Sequence, residues 1–246
     1  MLSLKDERGY NQGFQGTPTN LARMQRRWDF IADAIGPMAG DPAERCVVEL
    51  GCSHGAWLRY LVGKLGCRGH GVDISEKFIS MAREASTDKT NPVFSVLNFT
   101  DEAAVLRTFP PNSVDAVVGN GVLHHFEPRL DETLRTIHTI LKPGGKLVFI
   151  EPNLVNPYVF LIFRFGLFRR LASLEPNEMA FHRWNIRRRV TAAGFRNCTA
   201  TAGDFLLPNT PEALIRPVVA LDSVLQKTFL REVAQSVFVV ATKQTE

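Results

Sequence analysis

Between residues 46 and 150, short apolar runs alternate with stretches of helical periodicity, and that alternation admits few folds. The runs occupy residues 46–50, 69–73, 93–97, 116–118 and 146–150, with helical patterns at about 56–65, 75–85 and 130–141. Strand, helix and strand at such spacing make βαβ units, whose parallel strands are joined by right-handed crossovers. Parallel strands are covered by helices on both faces and read as continuous apolar runs, so all five are expected to be central and buried. Two later runs, 198–207 and 237–241, bring the expected count to seven strands. The chain is therefore read as α/β, with a Rossmann-like, mostly parallel sheet.

What surrounds this rhythm reads as accessory structure on one domain spanning residues 1–246. Residues 1–40 make an N-terminal arm and helix. The arm, to residue 20, is rich in Gly, Asn, Gln, Thr and Pro and includes Tyr10 and Phe14; the helix carries Leu21, Met24, Trp28, Ile31 and Ile35 on one face and Arg23, Arg26 and Arg27 on the other. After Glu151 the rhythm breaks into a lid insertion at 153–185, with a helix near 181–193 and a further helical insertion at 208–235. Apolar residues at 45% and charged residues at 22% fit an ordinary globular protein. Cys46, Cys52, Cys67 and Cys198 form no C-x-x-C pair, which argues against a zinc ribbon, a redox motif or a disulfide framework and fits reduced thiols in the cytoplasm. The N-terminus has no apolar signal core, and the run 158–163 is too short to span a bilayer, so no transmembrane segment is expected.

The sharpest local signal is Val47-Val48-Glu49-Leu50-Gly51-Cys52-Ser53-His54-Gly55, a buried strand running into a glycine turn that opens a helix. Glycines there permit positive φ and close approach of a ligand to the backbone, while the helix N-terminus offers unpaired N–H groups. Such a turn suits a nucleotide-like ligand. The dinucleotide fingerprint G-x-G-x-x-G is matched poorly, because Gly51, Ser53 and Ala56 occupy its three places. Asp73, 22 residues beyond Gly51 in Gly71-Val72-Asp73-Ile74-Ser75, puts a carboxylate where both hydroxyls of a ribose can donate to it. It marks a nucleoside site without choosing between cofactors.

A third region chooses. Asp115-Ala116-Val117-Val118-Gly119-Asn120-Gly121-Val122-Leu123-His124-His125-Phe126 is followed by Leu141-Lys142-Pro143-Gly144-Gly145-Lys146, then by the run ending at Glu151. With Glu49, Gly51 and Gly55, these segments resemble the ordered motifs of class I S-adenosylmethionine (SAM) methyltransferases, in their small-molecule branch of type 11 and 12. Ser53 stands where that family usually has its middle glycine. The resemblance implies the family's seven-stranded fold with a reversed last strand, and SAM across the carboxyl edge of the first strands, leaving as S-adenosylhomocysteine. It points to Glu49, Gly51, Cys52, Ser53, Gly55, Asp73, Ile74 and Asn120 as cofactor contacts, with Asn98 and Phe99 near the adenine. Lys142-Pro143-Gly144-Gly145 is read as a structural turn that ends a helix.

Methyl transfer from a sulfonium is an in-line displacement, in which a base matters only when the nucleophile holds a proton of high pKa. A hydroxyl or acidic carbon acceptor would use His124, His125 or Glu151; an amine would need little help. Oxygen is placed slightly ahead of nitrogen and carbon. No carboxylate cluster of the magnesium-dependent kind is visible, so no metal is expected. Between Glu151 and Ala200 eight arginines face three acids, an excess above the net charge of +4 of the whole chain. Together with Tyr158, Phe160, Phe163, Phe165 and Phe168, this suggests a small acceptor that is partly apolar and partly anionic. A sugar, a glycolipid or a secondary metabolite fits, with peripheral membrane contact, and Tyr10, Phe14, Tyr158 and Arg187 are the acceptor-side candidates. The plain alternative is that the aromatics form the lid's own core and the arginines a solvated face. Nucleic acid is disfavoured: Asn120-Gly121-Val122-Leu123 replaces the Asn-Pro-Pro-aromatic motif of amino-group DNA methyltransferases, and no Cys lies near strands four or five. Two rivals stay open, a SAM-binding structural or regulatory protein and a nicotinamide-dependent oxidoreductase.

Overall fold

The computed structural model describes residues 16–36, 41–87, 91–171, 174 and 178–245. A helix, α1 (Pro18–Ile35), precedes the sheet. It starts where Thr17 accepts from the Asn20 N–H with Pro18 in the first turn, and it ends at Gly36 at φ 56°. The alternating region then delivers β1 (Cys46–Leu50), α2 (Ala56–Leu65), β2 (Arg68–Asp73), α3 (Glu76–Glu84), β3 (Val93–Val96), α4 (Glu102–Thr108), β4 (Val114–Asn120), α5 (Leu130–Ile140) and β5 (Leu141–Pro152). Beyond it come α6 (Pro157–Arg164), α7 (Gly166–Leu171), α8 (Arg183–Ala192), β6 (Arg196–Gly203), α9 (Ile215–Leu225) and β7 (Ser236–Thr242).

The seven strands lie in the order β3-β2-β1-β4-β5-β7-β6, with β7 antiparallel to both neighbours. This is the class I methyltransferase topology with its reversed last strand. One expectation is corrected: β3 is an edge strand, not a central one, and Val93 and Val96 are exposed on it. Apolar composition cannot tell an edge from a centre when one face is packed. The seven-residue α4, capped by Asp101, and both lid helices α6 and α7 were not expected as helices.

Alternate residues along each strand feed two cores, as period-two geometry requires. Val47, Ala116, Val118, Val148 and Ile150 meet Trp28 and Ile31 of α1, Leu58 and Leu61 of α2 and Ile79 of α3. Their neighbours Val48, Val117, Leu147 and Phe149 turn the other way, onto Val105 of α4, Leu134 and Ile137 of α5 and Ile186 and Val190 of α8.

The arginine face of α1 is not left to solvent. Arg27 donates to Asp204 Oδ2 at 2.7 and 2.9 Å and to Ser236 Oγ at 2.7 Å, Arg26 pairs with Asp222, and Arg23 reaches Gln235 Oε1 at 3.4 Å. Asp222 is fully buried and also accepts from the Phe205 N–H and Gln226. These bonds tie the first helix to the segment that joins the last two strands.

On β2, His70 is partly buried, hydrogen-bonded to Ser95 Oγ at 2.8 Å and edge-on to Phe109. Burial pulls its pKa down from 6.5 to about 4. The folded state thus holds His70 neutral while the unfolded chain takes up the proton. Stability is full above pH 6.5 and falls as pH drops through the window from 6.5 to about 4. The full effect is about 3 kcal/mol. Thermal melts at pH 7.5 and 4.5 check it: the loss on acidification should shrink in His70→Gln.

Candidate functional site

The carboxyl ends of β1, β2, β4 and β5 open onto one edge of the sheet, and the turn after β1 is its most constrained part. Gly51, Ser53 and Gly55 all take positive φ, at 65°, 50° and 71°. Ser53 adopts the left-handed conformation although it carries a side chain, so the backbone path of the turn is kept where glycine is missing. Space is equally decisive. A Cβ on Gly55 would stand 2.4 Å from the Phe94 ring, and one on Gly51 would stand 2.9 Å from Val122 Cγ2. Gly55→Ala should therefore cost about 1–3 kcal/mol from overpacking, plus about 1–2 kcal/mol from the left-handed backbone. A fall of Tm by several degrees would show it.

Beside this turn, Asp73 accepts from the Ser53 N–H at 2.9 Å on Oδ2 and from the Ser75 N–H at 3.0 Å on Oδ1. The two bonds orient the carboxylate at the turn. Ile74 next to it is half-buried, and Ser75 caps α3 through the Phe78 N–H. Glu49, at the end of β1, is 4% exposed, and its Oε2 has no hydrogen-bond partner. Burial first, and then the charge of Asp73, push its carboxyl well above the usual carboxylate range. The Cys52 side chain is buried and lies 2.8 Å from where a Cβ on Gly71 would stand. Its thiol is raised well above its ordinary value by burial, then by Glu49 and Asp73.

Two carboxylates beside a glycine turn, one with an orphaned buried oxygen, suit a ligand that brings positive charge and hydroxyl donors. SAM has a sulfonium, an ammonium and a ribose, whereas a nicotinamide dinucleotide, whose ribose would suit Asp73 equally, would bring its diphosphate to the glycine turn beside Glu49. The donor set fits SAM.

At the end of β4, Asn120 Oδ1 accepts from Arg27 at 3.1 Å, and its amide lies 3.5 Å from Met24 Sδ. The residue is held by α1, a contact made across 93 positions that the sequence did not announce. Asn98 is exposed after β3, where its Oδ1 accepts from the N–H and hydroxyl of Thr100. The Phe99 side chain points into the core at 3% exposure. Asp101 is engaged as the N-cap of α4.

The tightest cluster follows Gly121. Leu123–His125 form a single 3-10 turn, and Glu151 at the end of β5 sits beneath it, 1% exposed. Glu151 Oε1 accepts from the N–H groups of Val122 and Leu123 at 3.0 and 2.8 Å; Oε2 accepts from the His124 N–H at 3.3 Å and lies 2.8 Å from His124 Nδ1. The carboxylate accepts, so His124 donates from Nδ1, which in the neutral ring leaves the lone pair on Nε2. His124 and His125 lie with ring centroids 4.1 Å apart, and His125 Nδ1 is 3.7 Å from Glu178 Oε1. Ligand atoms of His124, His125 and buried Glu178 all fall within 4.8 Å of one another. Sequence reasoning missed Glu178, because only the fold of the lid brings it to the strand-four loop.

Of the acceptor-side candidates, Tyr158 is 45% exposed on α6 and Arg187 is exposed on α8, while Tyr10 and Phe14 lie outside the described residues. The arginine-rich segment does not converge on one cleft. Arg169 donates to the Phe163 and Glu178 carbonyls and so braces the lid internally, while Arg183 pairs with Glu232 at 2.7 Å and Arg189 with Glu127 and Asp131, which fasten α8 to the rest of the chain.

Residues 48–149 match the family model described as a methyltransferase domain. Among curated proteins, a highly reducing polyketide synthase of Gibberella zeae is 38% identical over 93 residues, 37% of this chain and 4% of that protein. The chain spans about one-twentieth of the length of the curated relatives it matches. A putative methyltransferase of Haloferax volcanii, solved with the Trm112 activator, shares the fold at TM-score 0.67 and 21% identity, covering 99% of both chains. The geranyl diphosphate C-methyltransferase of Streptomyces coelicolor does so at TM-score 0.62 and 19% identity, covering 89% of this chain and 79% of that one. Residues 48–149 thus carry a methyltransferase domain, on a fold of the class I SAM-dependent type. The cofactor of that class is SAM, and the carboxylates around the β1 turn fit it.

Proposed function

We propose that the chain transfers a methyl group from SAM to a small amphipathic acceptor that must lose a proton, with His124 as the base. The observation that carries this reading is the His124–Glu151 pair, in which three backbone N–H groups and the imidazole share one buried carboxylate. Glu151 has no capacity left to take a proton from an acceptor, so it acts as a positioning residue. It fixes the tautomer with the free lone pair on Nε2 and stabilises the imidazolium once the proton arrives.

When bound, SAM supplies an electrophilic methyl and leaves as a neutral thioether. Everything else falls to the chain. Asp73 takes the ribose hydroxyls, Glu49 accepts donors of the cofactor's cationic part and the 51–55 turn admits it against the backbone. Nε2 of His124 removes the acceptor proton, and the electron pair left behind forms the new bond to methyl. An amine needs none of this apparatus, which sets nitrogen behind oxygen and carbon. Between those two, a structural neighbour that is by name a C-methyltransferase favours carbon. A carbon flanked by carbonyls has a proton within reach of an imidazole.

The test uses a 3-oxoacyl thioester in D2O with S-adenosylhomocysteine present. Exchange of the α-proton should be catalysed by the chain and abolished in His124→Ala. Exchange that survives in the variant would remove His124 as base. No exchange, together with methylation of a hydroxyl in an acceptor screen, would move the reaction to oxygen.

A further inference from the structure

Nineteen large apolar side chains are exposed among the described residues, and fifteen of them lie between Tyr158 and Val233. Scatter would not place them so, and a patch on this scale marks an interaction surface. It is carried by α6, α7, α9 and a 3-10 turn at Phe229–Val233. These elements are fastened together: Asn156 Nδ2 donates to the Val233 carbonyl at 2.7 Å, Asn153 Nδ2 donates to the Glu232 carbonyl at 2.9 Å, and α9 packs on the turn.

Two properties define what the surface fits. The first is that its side chains project. Phe229 is 83% exposed, Leu171 73%, Leu167 67% and Val224 58%, values for groups standing out from the surface and not lining a recess. A protein partner needs complementary walls around such groups, whereas the acyl region of a bilayer yields to them. The second is charge. No acidic residue occurs from 152 to 174, and Arg164 and Arg170 are exposed between the lid's apolar residues, with Arg216 and Lys227 exposed on the α9 side. The acids nearest the turn are already engaged, Glu232 by Arg183 and Asp222 by Arg26. Apolar projections interleaved with exposed cations are the pattern of segments that lie in the plane of an anionic membrane.

We propose that α6, α7, α9 and the 229–233 turn form a surface that docks the protein on an anionic lipid bilayer, beside the acceptor side of the sheet edge. This docking is independent of the methyl-transfer reading. No helix among the described residues is long and apolar enough to cross the bilayer, so attachment is peripheral.

Co-sedimentation of the full chain with extruded phosphatidylcholine vesicles, with and without 30 mol% phosphatidylglycerol, tests it at low and high salt, that fraction being roughly chosen to give an anionic surface. Binding to the anionic vesicles should fall with salt, and Arg164→Gln with Arg170→Gln should weaken it about twentyfold, at roughly fivefold for each charge near the surface. Leu167→Ser, Leu171→Ser and Phe229→Ser together should abolish sedimentation on either vesicle while melting temperature and SAM binding by calorimetry stay unchanged, which separates lost docking from lost fold. A chain that stays in the supernatant with every vesicle overturns the proposal. So does triple-variant binding equal to that of the parent, or a concentration-dependent dimer in sedimentation velocity that the triple variant removes, which would make the patch a contact between copies. SAM binding that fails in the parent chain would count against the methyltransferase reading alone.

Discussion

His124→Ala is expected to lower turnover by about 10²–10⁴-fold while leaving SAM affinity within a factor of about two, the range of a positioned general base. The asymmetry follows from the site's layout. His124 hangs from the strand-four loop over Glu151, whereas the groups assigned to the cofactor come from β1 and β2. Removing the imidazole takes away no donor or acceptor from the glycine turn. Added imidazole should restore part of the rate, because the deleted side chain leaves room for it next to a carboxylate that still lacks its partner. Glu151→Gln should behave differently. Its amide presents hydrogens to groups that all donate, so the 122–124 turn loses acceptors at several places. Turnover should drop comparably, free imidazole should not rescue it, and melting temperature should fall, since a buried unsatisfied donor costs about 1–3 kcal/mol. Single-turnover measurement under saturating SAM, with melts in parallel, distinguishes the two variants. Equal activity of His124→Ala and the parent would end the case for this base.

The second large effect is on binding. Asp73→Ala should weaken SAM and S-adenosylhomocysteine by roughly 10²–10⁴-fold, because hydrogen bonds to a charged group are worth about 1.5–3 kcal/mol each and a ribose offers two. Part of the loss will come from the turn itself. Without Asp73 the Ser53 N–H loses its acceptor while Ser53 sits at φ 50°, so the segment that receives the cofactor loses the bond that holds it there. Asp73→Asn separates the contributions: it retains one acceptor oxygen and should lose less than the alanine variant. Isothermal titration with NAD as a control completes the measurement. Undiminished binding in Asp73→Ala would remove this residue from the site, and NAD binding would contradict the reading of Glu49 as the partner of a cationic ligand.

Several of these features are visible in one dimension because they are local. The strand-turn-helix from Val47 to Leu65, Asp73 at the end of β2 and the capping of α3 by Ser75 depend on neighbours within a few residues, and the sequence carries them openly. What it conceals is set by distant partners. Val93 and Val96 look like core residues, and only the sheet order makes them rim. Glu151 reads as an acid at a strand end, a description that fits a base as well as an anchor. The three amides that donate to it lie 27 to 29 positions away, and they favour the anchor. The arginines of the lid were legible as charge but not as fasteners, since Glu232, Glu127 and Asp131 are neighbours only after folding. Asp204 and Asp222, far down the chain, answer the same way for Arg26 and Arg27 of α1.

That clamp also imposes an order of events during synthesis. α1 precedes the sheet in the chain and can lay its apolar face on it once β5 exists, but the partners of Arg26 and Arg27 follow later, up to 209 positions on. At about 5–20 residues per second the wait is roughly 10–40 s. Until then Arg26 and Arg27 lack the carboxylates that pair with them in the folded chain, while Asn120, the other partner of Arg27, is already made. The strand-end edge of a nascent chain can thus be nearly complete while its first helix remains latched on one side only, and synthesis of residues 204–236 is the step that closes it.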